Sequence, residues 1–118
     1  MGEYKNAQLD EVFTAMSDAT RRAILARLAT GEARVTELAS AFPISLNSTS
    51  KHIRILERAG LVTRTVQGRE HLLQLNAAPM AEAAEWMAFY RQFWDARLAA
   101  LEAFVIKQRT AKPIRSKQ

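Results

Sequence analysis

The run from Pro43 to Gly60, PISLNSTSKHIRILERAG, constrains this chain more than any other, because both ends of one short helix are written into it. Pro43 lacks an amide N–H and biases Phe42 away from helical dihedrals, so a preceding helix must stop there. Ser45 is placed as an N-cap able to accept from the backbone of Asn47 or Ser48, an interaction worth about 1 kcal/mol. Gly60 stands where a left-handed residue closes a helix, with Leu61 folding back on Leu56. Between these limits Leu46, Ile53 and Leu56 keep to one face, with Thr49 completing the spacing. The other face offers Asn47, Ser48, Lys51, Arg54 and Arg58, with Ser50 at its margin. Short hydrogen-bonding side chains at the N-terminal end can approach base edges in a major groove, while the longer cations reach phosphates. A plain solvated face would look similar, and the flanking segments have to decide.

Upstream, Leu9, Val12, Phe13 and Met16 follow helical spacing, whereas residues 1–8 lack periodicity and are expected to be loose. Asp18 is the expected N-cap of a second helix that ends near Thr30 and Gly31 and buries Ala23, Ile24 and Leu28. Arg21 and Arg22 fall in its first turn, against the helix dipole, which suggests a use such as a phosphate contact; Arg22 is carried forward as the candidate. Thr36 is expected to cap a third helix with Leu38, Ala39 and Phe42 inward. The short link Phe42-Pro43-Ile44 then joins it to the fourth, a helix-turn-helix pattern. After Gly60 the period changes to that of two strands, residues 61–66 and 71–75, with Gly68 at the hairpin tip. A hairpin in this position is a wing, and Arg69 at its tip is a candidate for a narrow minor groove.

From Pro79 the chain reads as helix for nearly thirty residues. Ala83, Met87, Tyr90, Trp94, Leu98, Leu101 and Val105 make one stripe, widened by Trp86, Phe89, Phe93 and Phe104. So broad an apolar face marks core or an oligomer contact ahead of a cofactor pocket.

The placement of charge says more than its total of +5. Residues 1–106 hold twelve basic and twelve acidic side chains, so Lys107, Arg109, Lys112, Arg115 and Lys117 supply the excess. The domain is therefore expected over residues 9–106, with 107–118 a disordered basic tail. Within residues 45–69 five cations face Glu57 alone, a local patch suited to an anionic partner. Cysteine is absent, which excludes disulfides, thiolate metal sites and cysteine nucleophiles. No membrane-spanning run or signal-peptide pattern is present, so a cytoplasmic protein without a membrane partner is expected. The glycines are isolated and no acid–base constellation has recognisable spacing, so no enzymatic activity is expected.

The segments SDATRRAIL, SKHIRILERAGLV and the late W-x-x-x-Y-R-x-F-W-x-x-R-L pattern resemble the ArsR-type winged helix-turn-helix regulators over about residues 9–105. The last pattern resembles a branch without metal sites. The resemblance implies a fold that is mainly α with a small β-hairpin (α+β), a winged helix-turn-helix with a long C-terminal dimerisation helix. It implies a homodimer through the first and last helices, here Leu9, Phe13, Met87, Tyr90, Trp94, Leu98 and Leu101. It further implies transcriptional repression from double-stranded operator DNA, often at the protein's own promoter. The family's reading helix falls on Asn47, Ser48, Ser50 and Lys51, with Thr49 partly available.

Two departures stand out: Ala19, where the family usually has proline, and Asn47-Ser48-Thr49, where this branch often carries Pro-Ala-Val. The second suggests an unusual operator. The cysteine site of metal-responsive relatives falls on RVTELASAF, and no histidine follows His71 for the last-helix site. His52 and His71 have no evident carboxylate partners, so neither a metal nor another cofactor is expected. A Trp- and Phe-lined interface admits an apolar effector or plain packing, and both stay open. A winged-helix protein-interaction module and a non-sequence-specific nucleic-acid binder are the rival readings.

Overall fold

The computed structural model describes the backbone of residues 2–111 and the side chains of residues 7–110. Its elements are α1 (Gly2–Met16), α2 (Ala19–Leu28), β1 (Ala33–Arg34), α3 (Val35–Ala41), α4 (Leu46–Arg58), β2 (Val62–Gln67), β3 (Glu70–Leu75) and α5 (Ala78–Ala111). The chain divides into one unit ending at Ala83 and a second beginning at Ala84.

In the first unit every element gives its apolar positions to one core. Val12 and Ala15 come from α1, Ile24, Leu25 and Leu28 from α2, Leu38 from α3, and Ile53 and Leu56 from α4. Leu61 at the corner after α4, Val62 from β2 and Leu73 from β3 close it. Asp18 caps α2 as expected, its carboxylate accepting from the Arg21 amide at 3.0 Å. The buried row of α2 is Arg21, Ile24, Leu25 and Leu28, and Ala23 is exposed, contrary to expectation. A polar residue at the head of an i, i+3, i+4, i+7 row disguised the period.

Three further expectations change. Helix α1 begins at Gly2, so the segment before Leu9 is helical. Helix α3 begins at Val35, and its cap is Arg34, whose amide donates to Glu37 Oε1 at 2.8 Å; Thr36 lies inside the first turn. The hairpin gains a third strand, because β1 pairs antiparallel with β3 through Ala33↔Leu73 and Arg34↔Leu72. Two residues are too short a run for alternation to register, so β1 carries no strand signal of its own. Strands β2 and β3 pair from Val62↔Leu75 to Gln67↔Glu70.

In the second unit the helix α5 carries on to Ala111, past the expected boundary at residue 106, so Lys107 and Arg109 stand on it. Lys112, Arg115 and Lys117 lie outside the described residues. All side chains from Ala84 to Thr110 are exposed, including Trp86, Met87, Phe89, Tyr90, Phe93, Trp94, Leu98, Leu101 and Phe104. Along the helix Phe89 meets Tyr90 edge-on, with ring centroids 5.0 Å apart. Among the described residues no helix is long and apolar enough to cross a membrane.

Candidate nucleic-acid interface

Helix α4 is fixed at both ends by the residues that predicted it. Ser45 Oγ accepts from the Ser48 amide at 3.1 Å. At the other end Gly60 has φ +79°, its amide donates to Glu57 O at 2.9 Å, and Leu61 donates to Leu56 O at 3.0 Å. This pair of bonds is the Schellman closure, and the left-handed residue it needs is the reason for glycine there. Asn76 locks the corner by donating its side-chain amide to Gly60 O at 2.9 Å.

Thr49, Ile53 and Leu56 are buried, which turns the opposite line of α4 outward. That line is Asn47, Lys51, Arg54 and Arg58, at i, i+4, i+7 and i+11, and all four side chains are exposed. Ser48 and Ser50 are half-buried on its two edges. Thr49 is a correction: it is wholly buried, and its hydroxyl donates to Ser45 O at 2.9 Å, so it belongs to the core and not to the reading face. Leu46 is the reverse case, 53% exposed although expected in the core. As the first residue of the helix its side chain leans N-terminally, away from the turns that the core covers.

The flanks of α4 are held by contacts that carry no periodic signal. On one side Arg64 of β2 grips Glu57 with two charge-assisted bonds, Nη2 to Oε1 at 2.9 Å and Nε to Oε2 at 3.0 Å. The Glu57 carboxylate raises the pKa of Arg64 above its ordinary value. Arg64 Nη1 also meets His71 Nδ1 at 3.0 Å. The hairpin is thereby tied to α4, and one cation of the expected basic patch is neutralised. On the other side His52 Nδ1 lies 3.2 Å from Arg21 Nη1 and 3.8 Å from Asp18 Oδ2. His52 therefore does have a carboxylate neighbour, against the sequence expectation. The Arg21 amide, ahead of the Arg21 and His52 side chains, holds the Asp18 carboxyl below its ordinary pKa.

The two arginines set against the α2 dipole serve the end of α1 instead. Arg21 donates to Ala15 O at 2.8 Å and Thr14 O at 3.0 Å, and Arg22 Nη1 donates to Met16 O at 2.7 Å. They donate to carbonyls at the negative end of α1, where Thr14 O also accepts from the Ser17 amide and hydroxyl. Arg22 is exposed but committed to that carbonyl, and does not join the α4 line. Arg58, at the far end of the line, borders a groove shared with Asp10, Glu11, Thr14 and Ile55. The two acids there lower the positive potential around Arg58 relative to Lys51 and Arg54. In the wing, Gly68 has φ +64° between Gln67 and Arg69, and Arg69 is exposed at the tip.

Leu9 and Phe13 are partly buried against the core of the first unit, whereas Met87, Tyr90, Trp94, Leu98 and Leu101 are exposed on α5. Among the described residues no group of three or more metal-ligating side chains comes together.

A helix-turn-helix domain model matches residues 16–65, which span α2, β1, α3 and α4 and reach into β2. The chain is similar to the HTH-type transcriptional regulator Rv2034 of Mycobacterium tuberculosis, 39% identical over 72 residues that cover 61% of this chain and 67% of that one. It is also similar to the transcriptional repressor SdpR of Bacillus subtilis, 34% identical over 79 residues, covering 67% and 88% of the two chains. A crystal structure of an ArsR family transcriptional regulator superposes with a TM-score of 0.71 at 38% identity, covering 76% of this chain and 93% of that chain. The solution structure of a homodimeric winged helix-turn-helix DNA-binding domain from Mycobacterium bovis superposes with a TM-score of 0.57 at 26% identity, covering 78% and 82%.

Proposed function

This chain belongs to the ArsR family of transcriptional regulators, and from that premise we propose that it is a homodimeric repressor acting on a pseudo-palindromic DNA operator. The observation that carries the reading is the exposed line Asn47, Lys51, Arg54 and Arg58, set opposite the buried Thr49, Ile53 and Leu56. Asn47 and the edge serines read base edges, Asn47 being shaped to pair with adenine. Lys51 and Arg54 neutralise phosphates, and Arg69 enters a flanking minor groove. Two copies place their reading helices about 34 Å apart, one helical turn of DNA.

The homodimer is supported by the Mycobacterium bovis domain and by the exposed apolar side chains of α5, from Met87 to Leu101. Repression is supported by the likeness to SdpR. Cytoplasmic residence and the absence of a catalytic step accompany the reading. An apolar small molecule is the class of effector that Trp86, Tyr90 and Trp94 would accept. The test is a nuclease footprint on the DNA upstream of the protein's own gene. A discrete protected site with two related half-sites is expected. Diffuse retardation that vanishes at moderate salt would leave only electrostatic binding at that DNA.

A further inference from the structure

We propose that Arg21 and His52 form a strut that positions the recognition helix, and that protonation of His52 releases it, so that DNA binding weakens as the solution turns acid. This rests on the reading of α4 as the DNA-reading helix. Arg21 is an unusual residue for its place, a cation only 8% exposed in the first turn of a helix. Its burial is compensated by three contacts, two of them to the carbonyls of Ala15 and Thr14 at the end of α1. The third, Nη1 to His52 Nδ1 at 3.2 Å, reaches α4. One side chain thus ties together the end of α1, the start of α2 and the middle of the reading helix. The removal of Arg21 would cost fold as well as function, so the informative partner is His52.

A guanidinium only donates, so the contact requires a bare Nδ1 on the imidazole. A proton there converts an acceptor into a donor and brings two cations face to face. Asp18, already accepting from the Arg21 amide, lies 3.8 Å away and draws the imidazolium toward the head of α2. The charged groups about His52 are therefore Arg21 and Asp18 from α2 and Lys51 beside it on α4. From α1, Asp10 and Glu11 lie one turn further along, in the groove with Ile55 and Arg58. Ser48 sits four residues before His52 on the same flank, so a shift of His52 passes directly to the reading edge.

The chain has two histidines, and the second, His71, meets Arg64 through its own Nδ1. The test therefore uses the full chain carrying His71→Gln, in which His52 is the one remaining histidine. Affinity for a duplex bearing the footprinted site, or for a mixed-sequence duplex where no site is found, is measured by fluorescence anisotropy at fixed ionic strength. Between about pH 8 and pH 6 affinity should fall by up to roughly tenfold.

Adding His52→Gln, which keeps an acceptor for Arg21 but does not titrate, should hold affinity at the strong end throughout. His52→Ala should hold it at the weak end. Binding that tightens in acid, as a histidine on a phosphate would give, overturns the strut, as does a pH profile unchanged by His52→Gln. Should no duplex bind at any pH, the functional reading fails, and the strut is judged on the free protein by NMR. Amide resonances from Ser48 to Arg54 that follow the His52 titration uphold it, and resonances that stay in place overturn it.

Discussion

Lys51 leaves α4 on the line opposite Ile53, where its ammonium can reach a phosphate without crossing the core. Lys51→Ala should weaken all DNA sequences alike and lower the slope of log affinity against log salt by about one phosphate's worth, read from titrations at several salt concentrations. An unchanged slope would make Lys51 a base reader or a bystander. Thr49 provides the opposite control. Its buried hydroxyl bonds to Ser45 O, so Thr49→Val should cost about 1 kcal/mol in urea unfolding while leaving the selected operator sequence unaltered. Asp18 offers a prediction in pH. Its carboxyl is held below the ordinary aspartate range, so its contribution is present above that range and is lost as pH falls through the depressed value. Asp18→Ser keeps a cap and removes the titration, so its unfolding midpoint should change less than the wild type's on acidification below about pH 4.

Among elements, the recognition helix and the wing are coupled through Glu57 and Arg64, which lie seven residues apart across the Gly60 corner. Glu57→Gln should loosen the hairpin while leaving the exposed cations of α4 in place. The expected signature is faster hydrogen exchange in β2 and β3, with weaker binding concentrated at the base pairs flanking each half-site. Protection of the strands equal to wild type would show that the β1–β3 ladder alone orients the wing. The helix itself was readable from sequence because its cap, its apolar spacing and its closing glycine are all local signals. The flanking grips were not, since Glu57 lies on a helix and Arg64 on a strand, so no single period spans the pair. The same holds for Arg21 and Arg22: their position against the α2 dipole was visible, but the α1 carbonyls that explain it belong to another element.

For the whole molecule the decisive quantity is association. Each Leu or aromatic side chain removed from water on α5 is worth roughly 1.5 to 3 kcal/mol, enough for a few such residues to set a dimer. Trp94→Glu together with Leu98→Glu should convert a dimer into a monomer by sedimentation, with the first unit still folded by circular dichroism. Operator affinity should fall toward that of a single half-site. A double variant that stays dimeric would move the interface off this face.

The sequence alone determined the boundaries of α4, the hairpin and its tip, the breadth of the α5 apolar face and a handful of core residues, Ile24, Leu28, Leu38, Ile53 and Leu56 among them. These follow from caps, glycine conformations and hydrophobic periods, which act over a few residues. Only the tertiary structure decided that Leu46 is exposed, that Arg22 is spent on α1, and that β1 joins the sheet. It alone set Glu57 and His52 as opposite moorings of one helix. Each of those outcomes depends on which side chain a distant element brings within hydrogen-bonding or packing range, and a local pattern carries no record of that distance.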